Sequence, residues 1–402
     1  MITVDEAEKL IQAETRDYGN EIILFNVSLG RALAEDIKAD RDLPPFNRVT
    51  MDGIAINYKA IEQGIRLFHV KATQAAGDKP IEIDADNECI EIMTGAALPV
   101  SVDTIIRYED LDIRNGFANI IVSISEIKKG QNIHPQGRDK KRGDSVAQSG
   151  QIITPAIISL LASVGETEVR VKKLPRVVVI SSGDELVDVE QIPTPFQIRS
   201  SNNYTIQAIL QQHGIDPALL HIPDDHEITK DKIQQCLQNY DVILLSGGIS
   251  MGKFDYIPKA INELGVQQVF HKVAQRPGKP FWFGKHNNTV IFAFPGNPVA
   301  VFMGIYRYFL PWLRTILNLK PVQPLFASLS KAITFLPPLK YFLQVELTLS
   351  DNGQLIAKPI EGNGSGDFAN LADSNAFLEL PLEKDNFIQG EIYRVWPFKP
   401  LF

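Results

Sequence analysis

Cysteine is scarce. Cys89 and Cys236 are the only two in 402 residues, and they stand far apart with no metal-ligand spacing. They read as buried, reduced thiols rather than as a disulfide framework. The seven histidines form no His-x-x-x-His pair. No apolar run reaches about 18 residues, so no membrane span is expected. The first residues, Met1-Ile2-Thr3-Val4-Asp5-Glu6, lack a basic segment followed by an apolar core. A secretory signal is therefore not expected, and the cytoplasm is the default compartment. An excess of positive charge is missing too: 40 Lys and Arg against 48 Asp and Glu leave a net charge of −8. This argues against general nucleic-acid binding and leaves room only for a local basic pocket.

What is present is a long, ordinary globular composition, 44% hydrophobic and 22% charged, which calls for several domains rather than one core. The periodicities divide it into four. Residues 175–320 alternate apolar runs with helical patterns, the signature of βαβ crossovers and a mainly parallel sheet. Residues 45–139 carry short strands and turns and read as an inserted β-rich domain. Residues 1–44 plus 140–174 flank it as a discontinuous helical linker domain, with helices expected over 4–17, 29–34 and 155–164. Residues 321–402 return to strands and suggest a small barrel or sandwich. The fold class is thus multidomain α/β plus β.

The stretch Ser246–Tyr256 organises the chemistry. It follows the apolar run Val242–Leu245 and precedes a helical pattern. Gly247, Gly248 and Gly252 let the backbone approach a ligand closely, and a strand end opening into a helix favours an anion. Asp255 adds a carboxylate that can hold a cation beside it. Other strand ends carry Asp184 and Glu185, and Asp224 and Asp225. Carboxylates grouped around a glycine-rich anion site match the needs of a Mg²⁺–phosphate ligand, because Mg²⁺ takes hard oxygen ligands. Lys272, Arg276 and Lys279 surround the Pro277-Gly278 turn and can counter a polyanion. Pro295-Gly296-Asn297-Pro298 is a rigid turn entering a helix expected over 299–317. Upstream, Asp52 sits in a turn, Thr94 can present its hydroxyl, and four basic residues lie between 138 and 142. In the Gly362–Gly366 loop, Ser365 can offer a hydroxyl.

Six of these motifs occur together: Met51-Asp52-Gly53, Thr94-Gly95-Ala96-Ala97-Leu98-Pro99, Gly183-Asp184-Glu185-Leu186, Ser246–Tyr256, Arg276–Pro280 and Pro295–Pro298. The set, which spans essentially the whole chain, resembles the molybdopterin molybdenumtransferases, whose eukaryotic relative is the C-terminal part of gephyrin. That resemblance implies a molybdopterin-binding-type α/β domain and a C-terminal β-barrel-like domain. It also implies a Mg²⁺-assisted reaction of adenylylated molybdopterin with molybdate that releases AMP. It further implies a homodimer whose site joins Asp52 and Thr94 of one subunit to Glu185, Asp224, Ser250 and Asp255 of the other. Glu185, Asp224 and Asp255 would hold Mg²⁺, and Lys272, Arg276 and Lys279 would neutralise phosphate or molybdate. Asp139, Ser246 and the glycine and proline turns would line the ligand. A molybdopterin adenylyltransferase and recipient molybdoenzymes are the implied partners.

The chain departs from the family pattern at Arg276, where Lys is common, and at Asn47–Thr50, where Asp-Asn-Ser-Ala is usual. It departs again at His134-Pro135, at Arg138 and at Gln344. A binding paralogue without turnover and an adenylyltransferase are the competing readings.

Overall fold

The unbroken β-branched run Val177–Ile180 has no polar face, so it must be covered on both sides. In the computed structural model, which describes residues 1–249, 256–360 and 368–400, it is an interior strand of a six-stranded sheet. The spatial order is Ala218–Ile222, Val177–Ser182, Val242–Ser246, Thr289–Phe294, Trp282–His286, Gln267–His271. The first four run parallel, and the last two close one edge antiparallel. Alternate residues face opposite cores. Val177, Val179, Val242 and Leu244 pack with Ile206, Ile209 and Leu210 of the helix Asn202–Gln212. Val178, Ile180, Ile243 and Leu245 pack with Ile233 of His226–Asn239 and Ile257 and Ile261 of Tyr256–Glu263.

The two antiparallel strands lack that apolar signal. Gln267, Gln268, Lys285 and His286 interrupt them, and a bulge shifts the register between Gln268 and Phe270. The helix expected over 299–317 runs as Pro298–Gly304, a π turn Ile305–Phe309, and Leu310–Ile316. Pro311 has no N–H to offer the Arg307 carbonyl, so the regular ladder cannot cross it. The helix expected over 29–34 does not form. The N–H groups of Gly30, Leu33 and Ala34 donate instead to Ile153 O, Gln151 O and Arg170 O at 2.9, 2.9 and 3.0 Å. Tertiary pairing has claimed the donors a helix would have used.

Around that segment, Asn20–Leu24 pairs antiparallel with Glu168–Lys172, and Ile37–Lys38 with Ser145–Ala147, beside the helix Pro155–Ser163. The helix Val4–Ala13 begins with a Thr3–Glu6 capping box and buries Val4, Ala7 and Ile11 against the α/β core. The β-rich region forms its own six-stranded sheet, with Gly53–Ile56 between Thr104–Arg107 and Glu88–Ile92. Cys89 and Cys236 are buried and unpaired, and burial pushes their thiols up to about 12 and about 11.

Closure decides the C-terminal region. Lys340–Leu349, Leu355–Pro359, Leu325–Leu329, Ile392–Pro397 and Ala376–Leu380 pair in that order, and the last pairs back to the first. The result is a closed five-stranded barrel rather than a sandwich.

Arg307, on the π turn and only 1% exposed, ties three regions together. Its guanidinium donates to Glu8 at 2.8 Å, lies 3.6 Å from Glu379 and stacks 4.5 Å above the Trp396 ring. Lys340 and the Trp396 indole also bind Glu379, at 2.8 and 2.7 Å. Burial opposes ionisation of Glu379, but Arg307, Lys340 and Trp396 outweigh it and hold its carboxyl below the usual 4.5. Glu379→Gln is therefore expected to cost about 2–3 kcal/mol at neutral pH, since a buried cation loses part of its compensation. Because the folded value is the lower one, this contribution is full above 4.5 and fades as pH falls through the folded value. Urea midpoints of wild type and variant should converge on acidification. A gap that stays constant to pH 3 would exclude the ionised clamp.

Candidate active site at the strand ends

Four parallel strands bring their C-terminal ends to one edge, so loops distant in sequence become neighbours. After Val177–Ser182 comes Gly183-Asp184-Glu185, and after Ala218–Ile222 comes Pro223-Asp224. The Asp224 N–H donates to Asp184 Oδ1 at 3.0 Å, and Ser182 Oγ lies 3.5 Å from Asp224 Oδ1. Asp225 is different: its carboxylate accepts from Ile228 N at 2.9 Å and caps the next helix. Glu185 folds back over Gly183, where a Cβ would lie 2.3 Å from its Oε2. None of Asp184, Glu185 and Asp224 has a basic ion-pair partner among the described residues.

Ser246 ends the adjacent strand, and Gly247 and Gly248 follow it. Gly247 adopts φ 92°, and a Cβ there would stand 2.9 Å from the Ser182 carbonyl oxygen, so no side chain fits. Its N–H donates to Phe294 O at 3.1 Å, joining this turn to Pro295-Gly296. Asn202 fastens the two loops, its Nδ2 donating to Ser246 Oγ at 2.7 Å and Gly296 O at 2.9 Å. Asn297 accepts from Ala300 N at 3.1 Å and caps the helix that Pro298 opens. Ser250, Gly252, Asp255 and Ser365 lie outside the described residues. Among the described residues no group of three acidic, histidine or cysteine side chains could hold a metal ion.

The cationic segment lies between the sheet and the barrel. Lys272 takes φ 70°, and its N–H donates to Phe281 O at 2.9 Å, while Val273 N donates to Lys279 O at 2.9 Å. The turn between them carries the cis Arg276–Pro277 bond and Gly278. Gln275 and Arg276 pair with Lys340 and Tyr341 of the barrel, and the Arg276 guanidinium sits 5.7 Å over the Phe335 ring. Lys272 and Lys279 are exposed.

Asp52 and Thr94 are joined to each other. The Thr94 N–H donates to Asp52 Oδ1 at 2.6 Å, and this bond holds the Asp52 carboxyl below the usual carboxylate range. Gly53 lets Asp52 sit there, since a Cβ at Gly53 would fall 1.9 Å from the Ile106 carbonyl oxygen. The Asp52 carbonyl accepts from Tyr108 N at 3.2 Å, which also lies in the β-rich region. A cleft of about 280 Å³ opens beside Met51, lined by Arg107, Asp110, Gln131 and Asn132. Asp139 pairs with His134 at 2.9 Å, and the rest of the basic run is exposed.

Two features escape the sequence. Asn202 follows no motif, and only strand adjacency makes it a bridge between loops. Asp184 is visible as an acid at a strand end, yet only the hydrogen bond from Asp224 marks it above its neighbours.

The comparisons with known proteins cover the same ground. Residues 2–165 match the model described as MoeA N-terminal region (domain I and II), and residues 178–315 match the probable molybdopterin binding domain. Residues 327–398 match the MoeA C-terminal region (domain IV). The chain is similar to the molybdopterin molybdenumtransferase of Synechocystis sp., 39% identical over 396 residues, covering 98% of this chain and 99% of the relative. The enzyme of that name from Staphylococcus epidermidis is 32% identical over 401 residues, covering 98% and 95%. Among solved structures, the molybdopterin biosynthesis MoeA protein from Pyrococcus horikosii superposes with a TM-score of 0.82 at 28% identity, covering 100% of both chains.

Proposed function

Since this chain belongs to the molybdopterin molybdenumtransferase family, we propose that it inserts molybdate into adenylylated molybdopterin and releases AMP. The observation that carries the reading is the convergence, on one sheet edge, of unpaired carboxylates with the Gly247 and Gly296 turns. The glycine turns receive phosphate oxygens on backbone N–H groups other than that of Gly247, which Phe294 O already takes. Lys272, Arg276 and Lys279 neutralise the remaining phosphate or molybdate charge. Glu185 and Asp224, with Asp255, are hard oxygen donors that suit Mg²⁺. Bound there, Mg²⁺ would offset the charge that develops on the phosphate oxygens as the pyrophosphate is cleaved. The protein's share of the acceleration is positioning and charge stabilisation.

In this reading the protein works as a homodimer, with the partner subunit's Asp52 and the partner subunit's Thr94 completing each site. An adenylyltransferase supplies its substrate, and molybdoenzymes receive its product. Both steps fit a cytoplasmic enzyme.

The test is AMP release from adenylylated molybdopterin by the purified protein with Mg²⁺, with and without molybdate. AMP release that requires molybdate and yields active cofactor is the expected result. Tight binding without AMP release would make the protein a carrier. Pyrophosphate release from ATP and molybdopterin would make it an adenylyltransferase.

A further inference from the structure

We propose that Gln275 and Tyr308 are positioning residues that hold the cationic loop from Lys272 to Lys279 in the shape its anionic substrate requires. The proposal rests on the reading above, which gives Lys272, Arg276 and Lys279 the substrate's negative charge.

The loop is anchored unevenly. Up to Arg276 its backbone is flanked on both sides: Ile2 N donates to Lys272 O at 3.1 Å and Ala274 N to Ile2 O at 2.7 Å, while Lys340 N donates to Ala274 O at 3.0 Å. Beyond Arg276 those neighbours are gone. The tip at Pro277 and Gly278 is held by the bond from Val273 N to Lys279 O and by a side chain, because Gln275 Nε2 donates to Gly278 O at 3.2 Å. That bond spans Arg276 and Pro277, so it sets how the tip folds over and where Lys279 emerges.

Gln275 is 1% exposed, and a buried amide is tolerated only when its donor and acceptor are both used. Its Oε1 accepts from the hydroxyl of Tyr308, which is itself 1% exposed. Tyr308 stands on the π turn that follows the helix Pro298–Gly304, the helix Asn297 caps at the strand-end site. A continuous path therefore runs from the Pro295–Pro298 loop through that helix to Tyr308, then to Gln275 and the cationic tip. A methionine at 275 and a phenylalanine at 308 would fill the same dry space. What they would lose is the pair of directed bonds.

Tyr308→Phe removes one oxygen, and Gln275→Met removes both bonds at similar volume. Two readouts decide the matter: amide hydrogen exchange over residues 276–281, and the split of KM against kcat for adenylylated molybdopterin. Faster exchange confined to that segment, with KM raised about tenfold and kcat changed less, is expected in both variants. A purely packing role would lower the melting temperature without moving KM. Unchanged exchange in the loop overturns the proposal whatever the kinetics. Faster exchange with wild-type KM overturns it as well. Lys279→Met separates this from the functional reading: if that variant keeps wild-type KM and kcat, the loop does not bind substrate and the reading itself falls.

Discussion

Asp224→Asn will lower molybdate-dependent AMP release by about 10²–10³-fold, the range seen when one preorganised electrostatic group is removed from an active site. The substitution is gentle on the fold. The Asp224 backbone N–H still reaches Asp184 at 3.0 Å, and the amide oxygen can still accept from Ser182. What disappears is the negative charge, which a small hard cation needs more than it needs shape. The apparent affinity for Mg²⁺ should fall together with kcat, while the urea midpoint stays near wild type. Turnover within about twofold of wild type at limiting Mg²⁺ would remove Asp224 from the cation site. Asp225→Asn makes the contrast. That carboxylate is committed to a helix cap, so its loss should appear in stability and leave the Mg²⁺ dependence alone.

The second large effect separates a site within one chain from a site shared by two. Asp52→Ala and Asp224→Ala should each abolish activity alone. If the site is shared across a homodimer as proposed, co-expression in equal amounts should recover about a quarter of wild-type activity, because half the dimers would be mixed and each mixed dimer would keep one intact composite site. Asp52 meets Thr94 at 2.6 Å and Tyr108 at 3.2 Å, both within the β-rich region. A partner subunit is the natural route by which it would face the strand-end carboxylates. Absence of any recovery, with mixed dimers shown to be present, would return Asp52 to a structural role in its own turn.

How much of this could be read from residues alone varies along the chain. The three interior parallel strands were legible because strands buried on both faces read as unbroken apolar runs, such as Val177–Ile180 and Val242–Leu245. The antiparallel strands at Gln267–His271 and Trp282–His286 were not: the first is an edge strand whose polar residues blur any period, and Gly284, Lys285 and His286 cut short the apolar start of the second. Leu29–Ala34 misled for a related reason: its local pattern suits a helix, but its N–H groups are spoken for by Gln151, Ile153 and Arg170, residues more than a hundred positions away. At the site, acidic and glycine-rich loops could be picked out as motifs. Asn202, Gln275 and Tyr308 could not, since their roles depend on which loops lie beside them.

The sequence by itself determined the chemical inventory: which loops carry carboxylates, which carry cations, and where glycine lets a backbone approach an anion. Those are local properties, written in side-chain type and spacing. Only the tertiary structure decided which members of the inventory meet. It placed Asp184 against Asp224 rather than leaving the strand-end acids equivalent, closed the C-terminal strands into a barrel, and set the Arg276 loop against the barrel strand Lys340–Leu349. The reason is physical. Strand order and register are settled by burying both faces of every sheet at once, a condition on the whole chain that no short motif contains.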